Sequence, residues 1–299
     1  MKKVIPGTMN FIGATVLLIF LFGQFAFTEH KKDEPAIHQW HAPALPKEMS
    51  FAGEAVPLNR WEIEERLDRE VLLNFYNQAN ILMLMKLSNR YFPVISQRLK
   101  ANGVPDDFKY LCVAESNLQS TALSRSNAVS FWQFLNGTAP GFGLKVNSEV
   151  DERYNIEKAT DAACKYLKQA YAKFGSWTAA AASYNCGQAG YNNQAIQQRT
   201  KNYYDLLLPE ETNRYIFRIL AFKHLLENAH DLGFKLEDDE KYQPIPFRTV
   251  KVANSIGDLT RFAIDNKTTY KMLRVMNPWI RGRSLTVNGG AVYEIKLPQ

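Results

Sequence analysis

The sequence predicts a mainly α-helical domain followed by a small α+β unit. Two observations carry that expectation. Between residues 59 and 232 apolar residues recur at helical spacing. From residue 247 onward the order changes to an alternating strand, two short helices and a second alternating strand. The 299 residues leave room for one large domain or two smaller ones. The net charge of +6 is modest and its basic residues are scattered, so no nucleic-acid arm is expected.

Lys2 and Lys3 precede an apolar run, residues 11–27, that contains no Asp, Glu, Lys or Arg. This is the pattern of an export segment. FAF and QFA place bulky groups where a signal peptidase needs small ones, so a cleaved signal and an uncleaved membrane anchor both stay open. Either reading puts the remaining chain outside the cytoplasm, in the periplasm or cell envelope, and the anchor reading would hold it at a membrane surface. Residues 28–58 read as a linker, with Pro35, Pro43, Pro46 and Pro57 opposing regular structure.

From Trp61 the spacing of Ile63, Leu67, Val71, Phe75, Ala79 and Leu82 predicts one apolar helical stripe. The run ILMLMKL, 81–87, reads as deeply buried, and a short helix is expected to end at Lys100. Pro105 and Asp106 suit the start of the next helix, which carries Glu115 near its end. Polar, glycine-containing sequence follows from Ser116 to Asn155. Helices are then expected over 158–174, 177–184 and 210–228, with LPEET capping the last. The closing strands are FRTVKV and VYEIKLP, and the two helices between them are separated by Lys267 and Thr268.

In YLCVAESNLQSTALS, residues 110–124, Glu115 is the only charged side chain, and Leu111, Cys112, Val113 and Ala114 precede it. Taken alone, a solvated carboxylate at a helix end is the ordinary reading. A carboxyl buried among such neighbours would instead hold its proton near neutral pH, as protonation of a glycosidic oxygen requires. Cys112, Cys164 and Cys186 form no CxxC pattern. They allow one disulfide, or three small apolar core residues, the reading preferred here. His30, His38 and His41 lie in the expected linker with no Cys/His cluster, so no metal site is expected. No organic cofactor is implied.

Four stretches occur in order: ES at 115–116, SRSNAVSFWQF at 124–134, SYNCG at 183–187 and ETNRYI at 211–216. Together they resemble the lytic transglycosylases of the soluble-lytic-transglycosylase (SLT), goose-lysozyme-like fold, and among these the membrane-bound D-type group. The resemblance spans roughly residues 50–230. It implies a lysozyme-like catalytic domain over 59–232 that acts on peptidoglycan glycan strands.

By this resemblance Glu115 is a single catalytic acid/base. It would protonate the bond between N-acetylmuramic acid and N-acetylglucosamine, then accept the proton of the muramoyl C6 hydroxyl as that oxygen attacks C1. Ser124, Gln133, Tyr184 and Asn185 would contact the glycan or its catalytic surroundings, and Tyr215 would point its hydroxyl toward Glu115. The ordinary alternatives are a turn for Ser124, a backbone-bonded amide for Gln133 and core packing for the tyrosines.

The chain departs from the family's loop pattern at Asn127 and Ser130, where glycines are usual, at Phe131 for leucine and at Ser183 for alanine. Ser130 is expected to add a side chain where glycan would pass. Asp151 and Glu152 are the candidates for a second carboxylate, with a cap or an ion pair to Arg153 as the commoner use. The terminal unit, 247–298, resembles a divergent LysM glycan-binding module. The rival readings are a lysozyme-type hydrolase and a non-catalytic peptidoglycan-binding scaffold.

Overall fold

In the computed structural model, which describes residues 41–299, the helical body begins before Trp61. The expected export segment, 11–27, and residues 28–40 of the expected linker lie outside the described residues. The later part of that linker is folded. Ser50–Phe51 (β1) and Glu54–Ala55 (β2) form an antiparallel hairpin. Phe51 is fully buried and meets the ring of Phe108 edge-on, with centroids 5.2 Å apart. Proline density opposes long regular elements, but it does not prevent apolar residues between the prolines from being buried. Here Phe51 and Val56 supply that burial.

Helix α1, Trp61–Phe75, buries Ile63, Leu67, Val71 and Phe75 as the stripe predicts. The stripe does not continue into Ala79 and Leu82. The chain breaks at Tyr76–Asn77, and those residues belong to α2, Gln78–Ala101. The short helix expected to end at Lys100 is the second half of α2, which runs through Pro93 without stopping. Pro93 forfeits one helical hydrogen bond, and the buried Ile95 and Leu99 beyond it hold the helix together.

Helix α3, Phe108–Ser116, is short and almost wholly buried. Asn117 and Leu118, with φ of 49° and 57°, end it in the left-handed region. Irregular chain follows, with 3₁₀ turns at Ala139–Phe142 and Glu152–Tyr154. Helices α4, Ile156–Phe174, and α5, Trp177–Cys186, then pack against each other. Ala179, Ala180, Ala181 and Ala182 of α5 are all fully buried, so a helix of small side chains sits between α4 and α7, Glu210–Glu227.

One helix was not expected: α6, Gln188–Gln198, buries only Tyr191 and Ala195. Two apolar positions are too few to produce a readable stripe. The expected cap in LPEET is also replaced. Pro209 makes no side-chain cap, and Asn213 reaches back instead, accepting from the Leu208 N–H (3.3 Å) and donating to its carbonyl (2.6 Å).

The terminal unit has the expected β-α-α-β order: β3 Phe247–Val252, α8 Leu259–Asp265, α9 Tyr270–Met276 and β4 Tyr293–Pro298. The two strands pair antiparallel, with Phe247 opposite Pro298 and Val252 opposite Tyr293. Val150, from the irregular segment, enters this unit's small core. The backbone carbonyl of Glu149 accepts from Arg281 N–H (2.6 Å), and its carboxylate accepts from Thr286 N–H (2.9 Å) and the Ser284 hydroxyl. Asp151 N–H donates to the Trp279 carbonyl at 2.8 Å, and Lys296 pairs with Glu157. The terminal unit is therefore seated on the helical body through the segment 145–157.

Candidate active site

Glu115 occupies the last turn of α3 and is half-buried. Leu111, Cys112 and Val113, just before Glu115 on the helix, are buried. Burial is the largest influence on its titration and pushes the pKa up to about 7. A hydrogen bond from Tyr215 and the charge of Arg218 pull the other way, while Glu211 adds a smaller upward push.

Tyr215 lies on α7, is 2% exposed, and donates its hydroxyl to Glu115 Oε1. Burial first, then the neighbouring Glu115, keeps that phenol protonated far above its ordinary range. It is therefore a permanent donor to Glu115. The structure thus brings Tyr215 and Glu115 together.

The remaining expected residues have other hydrogen-bond partners. Asn185, at the end of α5, accepts from the Thr212 hydroxyl (2.7 Å) and donates to Glu211 Oε1 (3.3 Å). It ties α5 to the first turn of α7. Tyr184 donates its hydroxyl to the Trp132 carbonyl at 2.8 Å and packs its ring against Trp132, Phe134 and Tyr166. Its hydroxyl is thus engaged in bracing the loop 124–134.

Within that loop Ser124 Oγ accepts from Ser126 N–H (3.2 Å) and Ala128 N–H (2.9 Å), which closes a turn. Gln133 donates to the carbonyls of Ser130 (2.8 Å) and Ala122 (3.4 Å). Both side chains are used to shape the loop. Three of its residues take positive φ: Asn127 at 62°, Ser130 at 63° and Gln133 at 48°. The departures from glycine at 127 and 130 thus retain left-handed backbone at both places. Ser130 does not project into open space, contrary to expectation. It is fully buried, and its hydroxyl has no hydrogen-bond partner.

Asp151 and Glu152 are committed elsewhere. Asp151 holds Arg153 through two side-chain bonds of 2.9 and 2.7 Å, and Arg153 in turn donates to the Phe134 carbonyl at 3.1 Å. Glu152 accepts from Lys145 N–H at 2.8 Å and pairs with Lys158. The three cysteines are free, with Cys112 and Cys164 buried. Among the described residues no group of His, Cys, Asp and Glu could hold a metal ion.

Sequence reasoning missed Arg218, Glu211 and Thr212 around the site. Their signal was spacing: Glu211 and Arg218 fall four residues before and three residues after Tyr215, on the same helical face.

Comparison with known proteins follows these modules. Residues 92–207 match the transglycosylase SLT domain, and residues 248–299 match the soluble lytic transglycosylase C-terminal LysM-like domain. Membrane-bound lytic murein transglycosylase D of Escherichia coli K12 is 24% identical over 211 residues, covering 67% of this chain and 44% of its own length. The protein of that name from E. coli O6:H1 matches to the same extent. The chain thus spans less than half the length of these curated relatives. A solved structure of an inactive mutant of lytic transglycosylase Slt from Pseudomonas aeruginosa matches at 19% identity and a TM-score of 0.40. It covers 51% of this chain and 26% of that one, and at this score the likeness carries no argument. The chain therefore joins a transglycosylase SLT domain to a LysM-like C-terminal domain and is homologous to membrane-bound lytic murein transglycosylase D.

Proposed function

We propose that the chain is a peptidoglycan lytic transglycosylase and that Glu115 is its single general acid/base. The observation that carries this reading is a half-buried carboxyl, with a pKa raised to about 7, held by a phenol that stays protonated. Near neutral pH such a group exists in both forms, as a proton shuttle needs. Glu115 first delivers its proton to the glycosidic oxygen between N-acetylmuramic acid and N-acetylglucosamine. The bond to C1 breaks as the muramoyl C6 oxygen attacks C1. The C6 hydroxyl proton passes to the Glu115 carboxylate, which restores the acid and leaves a 1,6-anhydro end.

No second carboxylate is required, because the nucleophile belongs to the substrate and is already placed beside C1. Asp151 and Glu152, the two candidates for that role, are spent on Arg153, Lys145 and Lys158. Tyr215 steadies the carboxylate form. Asn185 borders the glycan path at the junction of α5 and α7, and Tyr184 braces its wall. Ser124 and Gln133 hold the loop that faces the sugar. The LysM-like unit adds affinity for N-acetylglucosamine-containing chains. The pattern of Lys2, Lys3 and the apolar run 11–27 supports export to the cell envelope, where this substrate lies.

Glu115→Gln keeps the size of the side chain and removes its proton chemistry. Its release of soluble fragments from purified sacculi should fall by about 100- to 10,000-fold, while co-sedimentation with the same sacculi is retained. Full turnover by this variant would remove Glu115 from the mechanism.

A further inference from the structure

Helix α7 presents three polar groups along one face. Glu211, Tyr215 and Arg218 occupy positions i, i+4 and i+7, so they form a line about 10 Å long. Tyr215, in the middle, bonds Glu115. Glu211, at one end, accepts a bond from Asn185. Arg218, at the other end, is half-buried and close enough to Glu115 for its charge to be felt there.

The neighbouring cations of α7 are neutralised. Arg214 pairs with Glu70 at 2.6 Å, and Lys223 pairs with Asp107 at 2.7 Å. Among the described residues Arg218 forms no salt bridge, and its charge acts on Glu115 and Tyr215. Without a partner the guanidinium favours the charged form of the Glu115 carboxyl, and a bound anion would relieve that pull when the protonated form begins the reaction. A half-buried cation also loses hydration without regaining it from a partner. Its geometry is suited to one partner above others, the planar carboxylate, which it can bind with two parallel hydrogen bonds.

We propose that Arg218 is a specificity-determining residue that takes a carboxylate of an anionic glycan lying along α7. The inference rests on the glycan-cleaving reading above and deepens it. Two sources present that chemistry: the lactyl carboxylate of a muramoyl residue without its peptide, and the carboxylates of the peptide stem. A neutral N-acetylglucosamine oligomer presents neither.

The test compares the full chain with Arg218→Gln and Arg218→Lys on three ligands: stem-free glycan strands, stem-bearing strands, and the neutral oligomer, the last measured by binding. Arg218→Gln should lose about ten- to hundredfold in kcat/KM, mainly through KM, on a carboxylate-bearing strand. Its affinity for the neutral oligomer should be unchanged, and Arg218→Lys should recover part of the loss. The strand that shows the loss identifies the source of the carboxylate. Because the guanidinium also draws the Glu115 pKa down, the alkaline limb of the Arg218→Gln pH profile should move upward. Equal kinetics on both strands would overturn the inference and leave the lytic reading standing. A parallel loss on all three ligands would mark Arg218 as structural and would also overturn it. A wild-type chain inert on both strands would remove the lytic reading, and this inference with it.

Discussion

The proposed mechanism gives one carboxyl two jobs, and at Glu115 burial and hydrogen bonding oppose each other in a way that suits both. Desolvation lifts the pKa from an ordinary 4.5 to about 7, and the Tyr215 hydroxyl restrains the rise. The acid form is lost as pH climbs through that value, so activity should fall on an alkaline limb centred near pH 7. Tyr215→Phe removes a bond that favours the carboxylate. Its limb should therefore shift to higher pH, with turnover reduced about ten- to hundredfold, as loss of a hydrogen bond to a charged group implies. A pH–rate profile of both proteins checks direction and size together. Ser130 supplies a different test. It holds φ of 63° and buries an unpartnered hydroxyl. Ser130→Gly relieves both costs and should stabilise the chain by about 1 kcal/mol, raising Tm by roughly 2–4 °C. The meeting of Tyr215 with Glu115 was legible in the sequence because each sits in an ordered motif. The burial of Ser130 was not, since the direction of one side chain in an irregular loop has no periodicity to betray it.

Elements were legible where a face repeats and illegible where long-range contacts decide. The stripe of α1 could be read residue by residue. Its end at Phe75 could not, because α2 resumes apolar spacing two residues later. Helix α6 gave too few apolar positions to register. The hairpin β1–β2 looked like linker because its value lies in what it touches. Glu54 accepts from the backbone N–H groups of Trp177 (2.6 Å) and Thr178 (2.9 Å) and from the Ser176 and Thr178 hydroxyls (2.8 and 2.7 Å). Burial opposes its charge, but the bonds from Thr178, Trp177 and Ser176 outweigh that and hold its pKa below the ordinary value. The carboxylate thus caps α5 from 122 residues or more away in sequence, beyond any local cap rule. Glu54→Ala should cost about 1–3 kcal/mol in denaturant unfolding. The deficit should shrink as pH falls through the depressed pKa of Glu54, since acid removes the same charge from the wild type.

At the scale of the molecule, the segment 145–157 links the two modules. Asp151 and Arg153 fasten the loop 124–134, and Glu149, Val150 and Glu157 receive the terminal unit. Asp151 and Glu152 offered either a second catalytic carboxylate or a cap or ion pair, and their bonds are those of ion pairs. The order of helical body and β-α-α-β unit was plain from the change of period. Their seating on one another was not, because it depends on backbone carbonyls and single side chains that carry no pattern. With Asp151 and Glu152 occupied, the proposed chemistry rests on one carboxyl and a nucleophile from the substrate. The most direct test is mass spectrometry of the ends released from purified sacculi by the wild-type chain. The account predicts 1,6-anhydro-N-acetylmuramic acid ends; free reducing ends in their place would contradict it.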